Sequence, residues 1–304
     1  MILNFYPYDL EAVAVCRPYF AGKTDRLCDW TPAGCYLWSS SYTYHYAIVH
    51  NCLIMRLTLS FGYVYSPPMG EGDREAALAA LEEHCRTEGH SLRLSPLSDE
   101  QAEALHQRYG EAAKVKLFPD YKDYLYRYED LSTFAGRRYS GQRNHINRFV
   151  KTYPTWQYHP LTAENTPAVL AFTDEYLRLK QSRGELEEAE LADMNGVRAV
   201  LSAREQLPVT GGVITVDGVV VGFAVGETIG DTLYVHIEKA DIRYGGVYQL
   251  LVREYAAHSA APGLAYINRE DDADDPGLRQ SKLSYHPCEM VDKYSITVET
   301  PSKG

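Results

Sequence analysis

Hydrophobic and polar positions follow two rhythms along this chain, and the rhythms recur in the same order twice. Aromatic and β-branched residues predict strands over Cys35–Ser40, Tyr42–His50, Cys52–Leu57 and Leu59–Tyr65, with His50-Asn51 as a turn. Ser66–Gly72 breaks this pattern, and Asp73 is placed to cap a helix over Arg74–Glu88 that turns Ala77, Leu81, His84 and Cys85 to one face. A short strand at Leu92–Leu94 follows. A helix capped by Ser98 or Asp99 then runs to about Tyr109, and strands at Val115–Leu117 and Tyr124–Tyr128 close the half.

A connecting region, Asp130–Lys151, turns helical toward its end, with Ile146, Phe149 and Val150 on an apolar edge and Asn144, Arg148 and Lys151 on another face. Beyond a short strand at Trp156–Pro160, a helix opens near Asn165 with a stripe of Val169, Phe172, Tyr176 and Leu179. A second helix within Glu185–Glu205 turns Leu191, Met194, Val197 and Leu201 inward. Strands Val209–Val216 and Val219–Thr228 are joined by Asp217-Gly218, a strong hairpin signal. Strand Thr232–Glu238, helix Val247–His258, strand Ala265–Asn268, helix Pro276–Ser284 and strand Lys293–Glu299 complete the chain. Each half thus reads hairpin, strand, glycine-containing turn, helix, strand, helix, strand. The pattern predicts two α+β units in tandem, residues 1–130 and 155–304, with a basic connecting helix over 131–154; one such unit behind an unrelated N-terminal domain is the alternative.

Composition narrows the function classes. Hydrophobic residues at 45% and charged residues at 23% of 304 suit an ordinary buried core. A net charge of −11 argues against general binding to nucleic acid or anionic membranes. The start has no basic region before an apolar run, and no run approaches the roughly 20 residues of a membrane span. The expectation is a cytoplasmic protein without integral membrane association. Cysteines 16, 28, 35, 52, 85 and 288 show no metal-ligand spacing, so free thiols and no metal are expected.

The candidate chemistry lies between Thr232 and Ala256. In Asp241-Ile-Arg-Tyr-Gly-Gly-Val247, Gly245 and Gly246 permit close approach to the main chain at a helix N-terminus, a layout that suits a phosphate. Backbone groups of Gly245, Gly246, Val247 and Tyr248, with Tyr244 beside them and Arg243 as a cation, form the expected donor site; an ordinary strand-to-helix turn is the alternative. His236 and Glu238, two apart on a strand, are expected on one face and Lys239 on the other. Glu238, directly or through a water, is the candidate base, with His236 beside it; a salt bridge that fixes the loop is the competing role. The acidic segment Asn268–Gly277 does not match a calcium loop; a cation or basic-acceptor site is the alternative to a loop and helix N-terminus with Asp274 or Asp275 as the cap. The basic segment Arg137–Phe149 carries Arg143, Asn144 and Arg148 as candidate acceptor or phosphate contacts, against a plain solvated helix face.

Four blocks carry a family resemblance: Phe118–Phe149, Val235–Asp241, Gly245–Gln249, and Gly277–Pro287. Over roughly residues 115–300 the chain resembles the C-terminal domain family of phosphatidylglycerol lysyltransferase. The resemblance implies an α+β fold of two tandem GNAT-like domains, each a mixed, mostly antiparallel sheet flanked by helices. It implies an acyl- or aminoacyltransferase that takes an acyl group from acyl-CoA or aminoacyl-tRNA to an amine or hydroxyl. The partners it implies are a small-molecule or peptide acceptor and a tRNA, with the acceptor near His236, Asn268 and the Arg137–Arg148 segment. The alternative is a non-catalytic module of the same fold that binds a nucleotide, tRNA or protein. GNAT enzymes often carry a Tyr in the last helix to protonate the leaving thiolate. Gln280 stands at that position here, and Tyr285 is expected to pack.

Overall fold

A computed structural model describes residues 2–184 and 188–299. The first half runs β1 (Tyr6–Pro7), α1 (Leu10–Cys16), α2 (Pro32–Trp38), β2 (Thr43–Val49), β3 (Cys52–Leu59), β4 (Gly62–Tyr65), α3 (Arg74–Glu88), β5 (Leu92–Leu97), α4 (Asp99–Tyr109) and β6 (Ala113–Leu117). The second runs β7 (Asp123–Arg127), α5 (Tyr128–Thr133), α6 (Ser140–Thr152), β8 (Gln157–Pro160), α7 (Thr166–Ser182), α8 (Glu188–Ala203), β9 (Thr210–Val216), β10 (Val219–Ile229), β11 (Thr232–Ala240), α9 (Val247–His258), β12 (Tyr266–Asn268), α10 (Pro276–Leu283), β13 (Glu289–Val291) and β14 (Tyr294–Val298).

These elements form two seven-stranded sheets, ordered β1-β2-β3-β4-β5-β14-β6 and β8-β9-β10-β11-β12-β7-β13. The two orders correspond strand for strand, each with one parallel step, β4 to β5 and β11 to β12, among antiparallel neighbours. The sixth strand in each is far in sequence from the neighbours it joins. β14 lies between β5 and β6, and β7 pairs with β12. The compact units are therefore discontinuous: the described residues 2–123, 271–274 and 290–299 form the first, and 124–270 with 275–289 form the second. The linear division at residues 130 and 154 does not represent this exchange.

Local chemistry accounts for most boundaries. Asp73, Ser98 and Asp275 cap α3, α4 and α10 through bonds from Ala76, Gln101 and Leu278 amides. Asp217 and Gly218 have φ of 51° and 78°, the left-handed pair of a tight hairpin turn. One segment departs from expectation: Cys35–Ser40, predicted as a strand, lies largely in helix α2. Thr31 caps that helix by accepting from Gly34 N at 3.2 Å, and Pro32 occupies its first turn. The cap overrides the strand preference of the aromatic residues behind it.

Each unit has its own core. In the first, Ile54, Tyr65, Leu81, Leu94 and Ile296 pack together. In the second, Ile214, Ala224, Leu233 and Val235 meet Leu250, Leu251 and Tyr255 of α9. Neighbouring residues of β10 show the two faces of the second sheet. Ala224 faces α9, while Phe223 meets Phe172 of α7 edge-on at 5.9 Å. Among the described residues no helix is long and apolar enough to cross a membrane.

Candidate functional site

The site centres on β11, whose register slips once. Val225 pairs with Ile237 but Gly226 pairs with Val235, so His236 is an extra residue in the ladder. That bulge overturns the expectation that His236 and Glu238 share a face. Glu238 lies with Leu233 and Val235 against Val252 and Tyr255 of α9. His236 instead reaches Glu227, which pairs with Tyr234.

His236 is almost wholly buried. Its Nε2 lies 3.0 Å from Glu227 Oε1 and its Nδ1 lies 2.7 Å from Glu270 Oε1. Burial alone depresses the imidazole pKa, but hydrogen bonds to Glu227 and Glu270 outweigh it and raise the value to about 10. With a carboxylate on each ring nitrogen the imidazolium has no lone pair to offer, so the geometry gives His236 a structural role in place of the expected catalytic one. Glu238 is likewise committed: Arg269 donates to its Oε2 through Nε at 3.0 Å and Nη2 at 2.5 Å. Arg269 is itself buried, stacked 4.6 Å from the centre of the Tyr285 ring. The parallel pairing of β11 with β12 ends at Tyr234–Asn268, and the Arg269–Glu238 pair bridges the strands beyond that point. Lys239, on the opposite face, pairs with Asp193 of α8 at 2.5 Å.

The loop into α9 is largely closed on itself. The Arg243 amide donates to Asp241 Oδ1 at 3.0 Å, and its guanidinium grips both oxygens of the same carboxylate. Burial opposes ionisation of Asp241, but these bonds outweigh it and lower its pKa. The Tyr244 and Val247 amides donate to Asp241 and Tyr244 carbonyls. Gly246 is explained by packing: its φ is +98°, and a Cβ there would lie 2.5 Å from His145 O of α6. At Gly245 a Cβ would meet nothing within 4 Å. Among the described residues no side chain caps the N-terminus of α9.

Beside this loop, on the α7 face of the sheet, lies a cavity of about 590 Å³. Arg243, Tyr244 and Tyr248 line it, together with Phe172, Tyr176 and Lys180 of α7. Three of the expected donor-site residues therefore meet in one cavity, while Glu238 lies across the sheet from it. The stripe expected on α7 is split: Val169 and Leu177 are buried, whereas Phe172, Tyr176 and Leu179 face the cavity.

The remaining candidates are placed as follows. Asn268 is fully buried and accepts from Glu270 N at 2.6 Å, which ties it to a partner of His236. Arg143 donates to the carbonyls of Phe134 and Gly136, so it braces the turn before α6 and is not a free acceptor contact. Asn144 and Arg148 are exposed on α6. Tyr285 is buried against Phe134, and Gln280 is exposed on α10.

Sequence reasoning missed a second charged cluster, in the first unit. Lys293 Nζ lies 2.7 Å from Asp123, 2.8 Å from Asp29 and 3.2 Å from Asp271. Cys28 completes it, its amide donating to Asp123 at 2.7 Å. Cys28, Asp29 and Asp123 bring potential ligand atoms within 4.8 Å of one another, and the lysine ammonium supplies the counter-charge. Burial disfavours the ammonium, yet the carboxylates, Asp123 foremost, raise its pKa well above the ordinary value. Nothing local in the sequence marks partners so widely separated. Glu227 escaped notice for the same reason, and the partners of Arg269 and Glu270 were not legible within their own acidic segment.

The chain matches the family described as phosphatidylglycerol lysyltransferase, C-terminal, over residues 25–297. It is 24% identical over 177 residues to an uncharacterized protein of Mycoplasmoides gallisepticum, a match covering 58% of this chain and 56% of that protein. The match thus spans little more than half the length of that relative. Among solved structures, a conserved protein of unknown function from Bacteroides thetaiotaomicron superposes with a TM-score of 0.91 at 28% identity, over 98% of this chain and 100% of that one. L-PGS from Bacillus licheniformis gives 0.66 at 14% identity, over 98% and 94% of the two chains, and FemX gives 0.64 at 10%, over 94% and 96%. These last two likenesses are of fold.

Proposed function

The chain belongs to the phosphatidylglycerol lysyltransferase C-terminal family, and from that premise we propose that it transfers an acyl or aminoacyl group from acyl-CoA or aminoacyl-tRNA to an amine or hydroxyl. The observation that carries the reading is the cavity of about 590 Å³ beside the loop into α9, lined by Arg243, Tyr244 and Tyr248 but not by Gly245, Gly246 or Val247. Its volume lies within the usual range for ligand pockets, roughly 300–1,000 Å³. Arg243, exposed and lining the cavity, keeps Asp241 through Nε and Nη2 and offers its remaining N–H groups and its charge to a donor phosphate.

In the reaction the acceptor nitrogen or oxygen attacks the donor carbonyl. The tetrahedral adduct then breaks its bond to the CoA sulfur or the tRNA ribose oxygen, and the proton lost by the acceptor ends on that leaving atom, giving free CoA thiol or ribose hydroxyl. Glu238 and His236 are engaged elsewhere, so the residues of this cavity act in the proposal by binding and orienting the donor. Calorimetric titration with CoA, acetyl-CoA and aminoacyl-tRNA tests it. Saturable binding to one of them, lost in Arg243→Ala and Tyr244→Ala variants of unchanged circular dichroism, supports the reading; absence of binding to all three overturns it.

The second reading is a non-catalytic module of the same fold that binds a nucleotide, tRNA or protein. The commitment of both His236 and Glu238 to ion pairs favours it. Tight donor binding without transfer to any amine or hydroxyl acceptor would select it.

A further inference from the structure

The cavity beside α9 also has a recognisable chemical preference. Helix α7 turns Ala168, Ala171, Phe172, Tyr176 and Leu179 into it, at the three- and four-residue spacing of one helical face. Val219 and Ile242 stand opposite, and both are unusually exposed at 61% and 70%. Large apolar side chains left open around a cavity are a binding surface more often than an accident of folding.

Several polar groups of the lining are engaged with one another or with residues just outside it. Tyr176 donates its hydroxyl to Glu190 at 3.2 Å, and Lys180 reaches the same carboxylate at 2.7 Å. Arg243 holds Asp241, and Arg178 holds Glu175 through Nε at 2.6 Å. Tyr176 therefore presents its ring, and both lining carboxylates already face a guanidinium. The cations Lys180, Arg183 and Arg243 outnumber the acids Glu175 and Asp241 around the cavity. An entering ammonium would meet this excess of like charge and, among the described residues of the lining, find no uncommitted acid.

We infer that this cavity admits a neutral, apolar acyl group, an aliphatic chain or an aromatic ring, and turns away a cationic one such as lysyl. The inference rests on the reading of the cavity as the donor's site and places the donor's acyl group within it. Burying one methylene is worth about 0.8 kcal/mol, or roughly fourfold in affinity. A homologous series should therefore tighten by about that factor for each added methylene, roughly 16-fold for each two-carbon step, until the cavity is full.

The test is calorimetry with butanamide, hexanamide and octanamide as neutral acyl probes and L-lysinamide as the cationic one. Affinity is expected to climb along the series, with L-lysinamide unbound. Ala171→Trp places a large ring in the cavity from an exposed helical position, so the fold should persist while octanamide binding is lost. A flat series unaffected by Ala171→Trp, or L-lysinamide binding the parent as tightly as octanamide, overturns the inference. The donor reading fails separately: chain-length-dependent binding without binding of any donor removes that reading and leaves the preference standing. Equal transfer from lysyl and neutral donors removes the preference and leaves the donor reading.

Discussion

Replacing His236 by Gln should cost the protein several kcal/mol, in a manner that depends on pH. In the native state both imidazole nitrogens face carboxylates, and the folded pKa stands near 10 against 6.5 for the free side chain. A raised folded pKa means the charged form stabilises the fold. That contribution is fully present below pH 6.5 and is lost as the pH rises through about 10. Between those limits it falls by about 1.4 kcal/mol per pH unit, and the whole gap corresponds to about 5 kcal/mol. Direct loss of one partner from a buried ion pair gives a similar figure, about 3–5 kcal/mol. Urea denaturation of parent and His236→Gln at pH 6, 7.5 and 9 measures both quantities. The difference between the two proteins should be largest at pH 6 and shrink toward pH 9. A variant within about 1 kcal/mol of the parent at pH 6, or a difference that does not change with pH, would refute the reasoning. Substituting Glu227 and Glu270 by Gln in the same background removes the stranded carboxylates and should return part of the stability.

Two further outcomes follow from the packing. Lys293→Met strands three aspartates in the first unit and should lower stability by about 3–5 kcal/mol near neutral pH, with partial recovery as the pH falls and the carboxylates protonate; thermal melts at pH 5 and 7.5 check it, and an unchanged midpoint would contradict the cluster's role. Gly246→Ala should cost at least about 1–3 kcal/mol, because its φ of +98° and the approach of His145 O at 2.5 Å both oppose a side chain, whereas Gly245→Ala, with nothing within 4 Å, should stay within about 1 kcal/mol of the parent. Equal melting temperatures for the two alanine variants would remove the distinction between them.

What the sequence determined by itself is most of the elements and their kind, with α2 mistaken for a strand and α1, α5 and β13 not foreseen. Helix α3 occupies the span expected from Asp73 and the stripe Ala77, Leu81, His84 and Cys85, because capping and periodicity are written in contiguous residues. The Asp217-Gly218 hairpin, the strand–loop–helix around Gly246 and the two α+β units were legible for the same reason. So was the family, through blocks such as Val235–Asp241. Arg243, Tyr244 and Tyr248 were local enough to be assigned together, and they meet in one cavity.

The tertiary structure decided what depends on register and on distant partners. One extra residue at His236 reversed which face Glu238 occupies, and a one-residue slip in a ladder leaves no signature in alternation alone. The partners that fix His236, Glu238 and Lys293 lie 9 to 34, 31, and 22 or more residues away, joined only once the chain has folded. The placement of β14 in the first sheet and β7 in the second has the same origin. A strand's sequence specifies that it must pair and which face it buries, but the choice of neighbour is made by the sheet edge that the rest of the fold leaves open.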